Sequence, residues 1–107
     1  ALICALPGPT PAGTAFIVEM SERAKRDYFR LDARFRKGYD KWQDLIERKG
    51  AVEMRKNTGY SDESLQGDRK GQRSSRLSHR VRIIYMEITE NDRGVIKVRE
   101  ISAQHGY

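Results

Sequence analysis

Apolar positions along the chain change their spacing several times, and each change marks an element. Ala15–Met20 (AFIVEM) is a short β-prone run and predicts a first strand. From Glu22 the spacing lengthens, so that Ala24, Tyr28 and Leu31 share one stripe of a helix. Ser21 can cap that helix, and Glu22 is favourable at the positive end of its dipole. Asp32 can cap a second, longer helix, in which Phe35, Tyr39, Trp42 and Ile46 recur at i, i+4, i+7 and i+11. Gly50 ends it, after Arg48 and Lys49 at the negative end of the dipole. Aromatics at this spacing read as core.

From Ala51 to Ser64 periodicity is lost. Asn57–Thr58–Gly59 and Ser61–Asp62 supply turn chemistry, and the stretch reads as a loop. A loop of that length in a small domain is more often functional than decorative, and this one carries Arg55, Lys56, Asp62 and Glu63. Gly67 and Gly71 then bracket the entry to two strands, Gln72–Leu77 and Val81–Glu87, joined by a tight turn. Alternation puts Val81, Ile83 and Tyr85 on one face and Arg82, Ile84 and Met86 on the other. After a polar turn over Thr89–Gly94, Val95–Ile101 alternates as a last strand. The expected fold is α+β: an N-terminal strand, a helical hairpin, and a three-strand antiparallel meander with the hairpin on one sheet face. Ahead of it, Ala1–Gly13 holds all three prolines of the chain. We read residues 1–14 as a flexible extension or a remnant of expression, and 15–107 as one domain.

Charge sharpens the picture. The 107 residues carry a net charge of +6, with 37% hydrophobic and 34% charged residues, so one modest core lies under a heavily charged surface. Such a balance favours a polyanionic partner, nucleic acid first. No apolar run approaches the roughly 20 residues of a membrane span. A lone cysteine, Cys4, cannot form an intrachain disulfide and fits a reducing cytoplasm. The positive charge is densest in Leu65–Tyr85, where Arg69, Lys70, Arg73, Arg76, Arg80 and Arg82 stand against one acid, Asp68. Arginines threaded through strands are held in place, as a phosphate-gripping surface requires.

Metal-free RNA cleavage uses the 2′-OH as nucleophile on the adjacent phosphate. It needs a base, an acid for the 5′-oxygen, and cations for charge building on the phosphoryl oxygens. Arginine suits the last role because its planar fork binds two oxygens and stays charged. Histidine suits proton transfer near neutral pH, and the chain has two, His79 and His105. His79 falls in the turn between strands, where exposure is its simple reading. His105 follows the final strand. Tyr60, Tyr85 and Tyr107 have rings that can stack on bases, although Tyr85 equally suits packing. No ligand spacing for a metal is visible, nor a glycine loop of the nucleotide-binding type, and we expect no cofactor.

The order FIVEMSERAKRDY, a long helix ending in glycine, GYSDESLQGDRKGQRSSRLSHRVRIIY and VIKVREISAQHGY resembles the RelE/ParE superfamily of bacterial type II toxins. It is similar in particular to the RelE-like mRNA interferases with a terminal histidine and tyrosine, the YoeB-like arrangement. The resemblance spans about Ala15 to Tyr107. It implies a small ribonuclease that cuts mRNA at the ribosomal decoding site and is held inactive by a cognate antitoxin, in a hetero-oligomer. By position, Arg76 matches the arginine on the scissile phosphate, and His105 and Tyr107 match the terminal pair. Here a glycine separates that pair, which is adjacent in some relatives. Glu53 and Glu63 are the acids nearest the family's loop glutamate, and Glu63 joins the expected catalytic set. Arg55, Lys56, Arg69, Lys70, Arg73 and Arg82 are the expected RNA-binding cations. Two alternatives stand beside this reading. A ParE-type member poisons DNA gyrase by protein contact and needs no catalytic histidine. A plain RNA-binding module predicts binding with steep salt dependence and no cutting.

Overall fold

The computed structural model describes residues 16–103. The segment 1–14, Ala15, His105 and Tyr107 lie outside the described residues. The elements run β1 (Phe16–Met20), α1 (Glu22–Arg30), α2 (Ala33–Lys49), α3 (Ala51–Lys56), β2 (Glu63–Ser64), β3 (Arg73–Arg76), β4 (Val81–Glu90) and β5 (Arg93–Ala103). The strands form one sheet in the order β1-β5-β4-β3-β2. β1 runs parallel to β5, from Phe16 beside Gly94 to Met20 beside Val98, and every other pairing is antiparallel. This is the expected α+β fold, with its three-strand meander widened to five strands by β1 and by the two-residue β2.

The helices bury their stripe on one face of that sheet. Tyr39, Trp42 and Ile46 of α2 and Met54 of α3 cluster with Ile83, Tyr85, Ile96, Val98 and Ile101. The Trp42 ring meets Tyr85 edge-on, centroids 5.4 Å apart. Gly50 turns the chain from α2 into α3 at φ 92, a left-handed conformation that costs glycine little. The expected loop over 51–64 is therefore partly helix. Ala51 and Met54 are its fully buried apolar side chains, too few to repeat at a helical period. Ser21 caps α1 as expected, accepting from the Ala24 amide at 3.0 Å. Asp32 sits at the N-cap of α2, but its side chain makes no capping bond; its backbone carbonyl accepts instead.

β5 breaks its own alternation. Ile84 pairs with Glu100 but Tyr85 with Val98, so Arg99 is an extra residue, a β-bulge. The bulge lets Ile96 and Val98 before it, and Ile101 and Ala103 after it, all reach the helix side. The Ser21 hydroxyl donates to the Arg99 carbonyl at 2.7 Å, and the Ser21 amide to the Val98 carbonyl at 2.9 Å. The start of α1 is thereby pinned to the bulge. Past the end of β1, α1 takes over the free edge of β5, where the Ile101 amide donates to Asp27.

β4 and β5 each run longer than expected because their turn is only two residues. Asn91 and Asp92 both take left-handed φ, 52 and 63, the form a tight hairpin demands and asparagine and aspartate tolerate. At the other end of β1, the Phe16 ring lies over Gly94, and a Cβ there would sit 2.3 Å from a ring carbon. Gly94→Ala should therefore push the ring off the sheet and cost about 1–3 kcal/mol, the usual range for overpacking. Urea titration measures it. A midpoint equal to the wild type would mean that the ring contributes no packing here.

Candidate functional site

β3 and β4 sort their side chains onto the two faces by parity. Arg73 and Ser75 face the helices with Ile83 and Tyr85; Ser74 and Arg76 face the opposite side with Arg82 and Ile84. The two faces use their arginines differently.

On the helix side, cations converge on a carboxylate. The Asp62 side chain is fully buried and accepts from Arg73 Nε at 2.7 Å, Ser75 Oγ at 2.6 Å and Tyr85 OH at 2.5 Å. Arg55 approaches the same carboxylate at 3.7 Å and is also paired with Glu87. Burial works against the charge on Arg55, yet the hydrogen bonds it donates to Glu87 and Tyr85 hold its pKa above the ordinary guanidinium value. Burial, reinforced by Asp62, pushes the Tyr85 hydroxyl up to about 12, so it stays protonated and donating. Two arginines thus balance the buried Asp62 and the more exposed Glu87 on the helix side, and Tyr85 packs rather than stacks on a ligand. Sequence reading did not single out this network. Its one signal was polar residues at core-facing positions, Arg73 and Ser75 in register with Tyr85 and Ile83.

On the opposite face Arg76 and Arg82 stand directly across from each other, and Ser102 lies in register beyond Arg82. Arg82 donates to Ser74 Oγ at 3.2 Å and contacts Glu63 at 3.5 Å. Arg76 makes no hydrogen bond or ion pair with any described residue, and its Nε is buried without a partner. The turn over 67–69 reaches across this face, with Arg69 paired to Glu100 at 2.9 Å and donating to Gln72. Glu100 also holds Arg23 of α1 at 3.1 Å. Lys56 pairs with Glu53, whose carboxyl that hydrogen bond holds below the ordinary range. Lys70 is exposed and without a partner among the described residues. His79 is exposed in the β3–β4 turn.

The structure therefore brings Glu63, Arg76 and Arg82 to one face, with Arg69 and Lys70 on the segment beside it. It directs Arg55 and Arg73 to the other face and leaves Lys56 on α3. The expected residues His105 and Tyr107 lie outside the described part; the chain reaches them through Ala103, which stands in register with Val81, next to the Arg82–Ser102 pair. Chemically, the Arg76 guanidinium is a bidentate anion donor with its hydrogen-bonding capacity unused. Among the described residues no three His, Cys, Asp or Glu side chains gather as metal ligands, and no helix is long and apolar enough to cross a membrane.

This arrangement of strands and helices is the RelE-like fold of bacterial toxins. The chain superposes on YafQ from E. coli with a TM-score of 0.63 at 19% identity, covering 82% of this chain and 92% of that one. The toxin–antitoxin complex DinJ–YafQ from E. coli gives 0.63 at 18%, covering 83% and 92%. The YoeB–YefM complex from Staphylococcus aureus gives 0.61 at 20%, covering 84% and 98%. No family model matches the sequence, and no curated protein does.

Proposed function

We propose that the chain is the toxin of a type II toxin–antitoxin pair and acts in the cytoplasm as a metal-independent endoribonuclease on mRNA at the ribosome. The observation that carries this is Arg76. A half-buried arginine whose Nε is buried without a partner among the described residues, facing a second arginine on a rigid sheet, is costly to keep unless an anion completes it. In this reading Arg76 clamps the scissile phosphate and stabilises the charge that builds on its oxygens, with Arg82 beside it. Glu63, on the same face and mostly exposed, is in reach of Arg82 and is available to take the 2′-hydroxyl proton. His105 and Tyr107 follow the strand that carries Ser102, so the tail starts at the correct end of the sheet to supply the leaving-group proton. Arg69 and Lys70, on the segment beside that face, extend the positive surface along the strand of RNA. The solved complexes of YoeB with YefM and of DinJ with YafQ support a cognate antitoxin as partner. The net charge of +6 favours an acidic segment of it.

The test is to map mRNA 5′ ends in a translation extract with and without the protein. New ends within translated frames are expected. His105→Gln should lower the rate by about 10²-fold or more, the ordinary yield of one proton-transfer group. The wild-type rate should bend near the unperturbed imidazole pKa of about 6.5, and the bend should vanish in the variant. Growth arrest with intact mRNA would discard the nuclease in favour of a protein target.

A further inference from the structure

The row of Arg76, Arg82 and Ser102 opens onto a groove at the end of the sheet. Where α1 gives way to α2, a cleft forms between Arg30, Arg34 and Phe35 on the helix side and Arg80, Val81 and Ala103 on the sheet side. A second hollow shares Arg30 and Ala103 with it and runs on to Ser102. Together the two hollows run from Ser102, the register partner of Arg82, to Phe35.

Its chemistry is uneven for a solvated surface. Three arginines line the cleft against one carboxylate, Asp32. Arg34 meets that carboxylate at 3.8 Å with both side chains more than two-thirds exposed, so the pair adds little. Arg30 makes no hydrogen bond or ion pair with any described residue. The Arg34 guanidinium lies over the Phe35 ring, 4.7 Å from its centre, a cation–π contact that sets a planar cation beside an aromatic ring at the cleft. The neighbouring Arg36 is not part of this surface, because it donates to the Leu31 carbonyl at the end of α1. The second hollow also carries Arg23 and Asp27, which already bind each other and β5.

We propose that this groove is a subsite for a nucleotide next to the one being cleaved, in single-stranded RNA. Arg30 takes its phosphate, and its base stacks on the Arg34–Phe35 pair. Bases splayed from a single strand are commonly held this way, on an aromatic ring or an arginine plane. The assignment rests on the RNA-cleaving reading of the Arg76 face, and adds a second point of grip that fixes the strand's direction across it.

Fluorescence anisotropy with a short labelled single-stranded RNA, titrated with KCl, tests the subsite apart from the cutting. Arg30→Ala with Arg34→Ala should weaken binding about tenfold or more, and should flatten the slope of log K against log salt by about 0.7 per lost phosphate contact. Arg30→Lys with Arg34→Lys should restore the slope but not the affinity, since lysine keeps charge and loses the plane. Removing two exposed charges of α2 away from the cleft, by Lys37→Ala with Lys41→Ala, should change neither. If the alanine pair in α1 and α2 binds and depends on salt as the wild type does while the wild type cuts mRNA, the subsite is wrong and the nuclease stands. If the cleft variants behave as stated but no RNA is cut, the subsite stands and the nuclease falls. Equal losses from the α2 lysines, a lysine pair whose salt slope is as flat as the alanine pair's, or no RNA binding by the wild type would each overturn the subsite.

Discussion

Arg76→Ala is expected to slow RNA cleavage by about 10²–10³-fold, the usual consequence of losing one preorganised donor to a transition-state oxyanion. The fold should not notice. The Arg76 side chain bonds to no described residue, and its buried Nε is an unsatisfied donor whose removal relieves a desolvation cost. The melting temperature should therefore stay level or rise slightly. Arg76→Lys keeps the positive charge but not the fork, so it should recover only part of the rate. Single-turnover cleavage of mRNA on ribosomes, read beside thermal melting, separates the effects. A variant that cuts at the wild-type rate, or one that melts early, would return Arg76 to a structural role.

Asp62→Asn is expected to do the reverse. Breaking a buried ion pair by removing one partner typically costs about 3–5 kcal/mol, because the remaining charge is left uncompensated. Here Arg73 would lose its carboxylate, and Arg55 would keep only Glu87. In so small a domain each kcal/mol moves the melting temperature by about 4–8 °C, so a fall of at least 12 °C or so is expected. Activity should survive below the new melting point, since Asp62 faces the helices and Arg76 the other side. A shift of only a degree or two would mean that the guanidinium groups find water or other partners without difficulty.

What could be read in the sequence, and what could not, follows from how far each signal repeats. Phe35, Tyr39, Trp42 and Ile46 announce α2 because four residues at helical spacing are hard to explain otherwise. The two-turn α3 has too few buried positions for a period to show, and the exposed pair Glu63–Ser64 of β2 has no alternation at all. The bulge at Arg99 was hidden because VIKVREI keeps an apolar residue wherever one is needed on either side of it. For the site, residue type and strand position were enough to select Arg76 and Arg82. They could not say which arginines are already satisfied. That depends on Asp62, Ser75 and Tyr85, which meet from three separated stretches of chain.

The pairing of β1 with β5 ties the protein's maturation to the order in which it is made. Among the described residues β1 has no strand partner other than residues 94–98 of β5, so its backbone groups and apolar side chains must wait, once synthesised, for nearly the whole domain to follow. α1 is held at the Ser21 cap by Val98 and Arg99, and has the same wait. Long-range pairings of this kind form late, after local helices. A nascent chain of this fold therefore cannot complete its sheet until Arg93–Ala103 has been synthesised, whereas the β3–β4 hairpin that sets Arg76 across from Arg82 is local and can form before it.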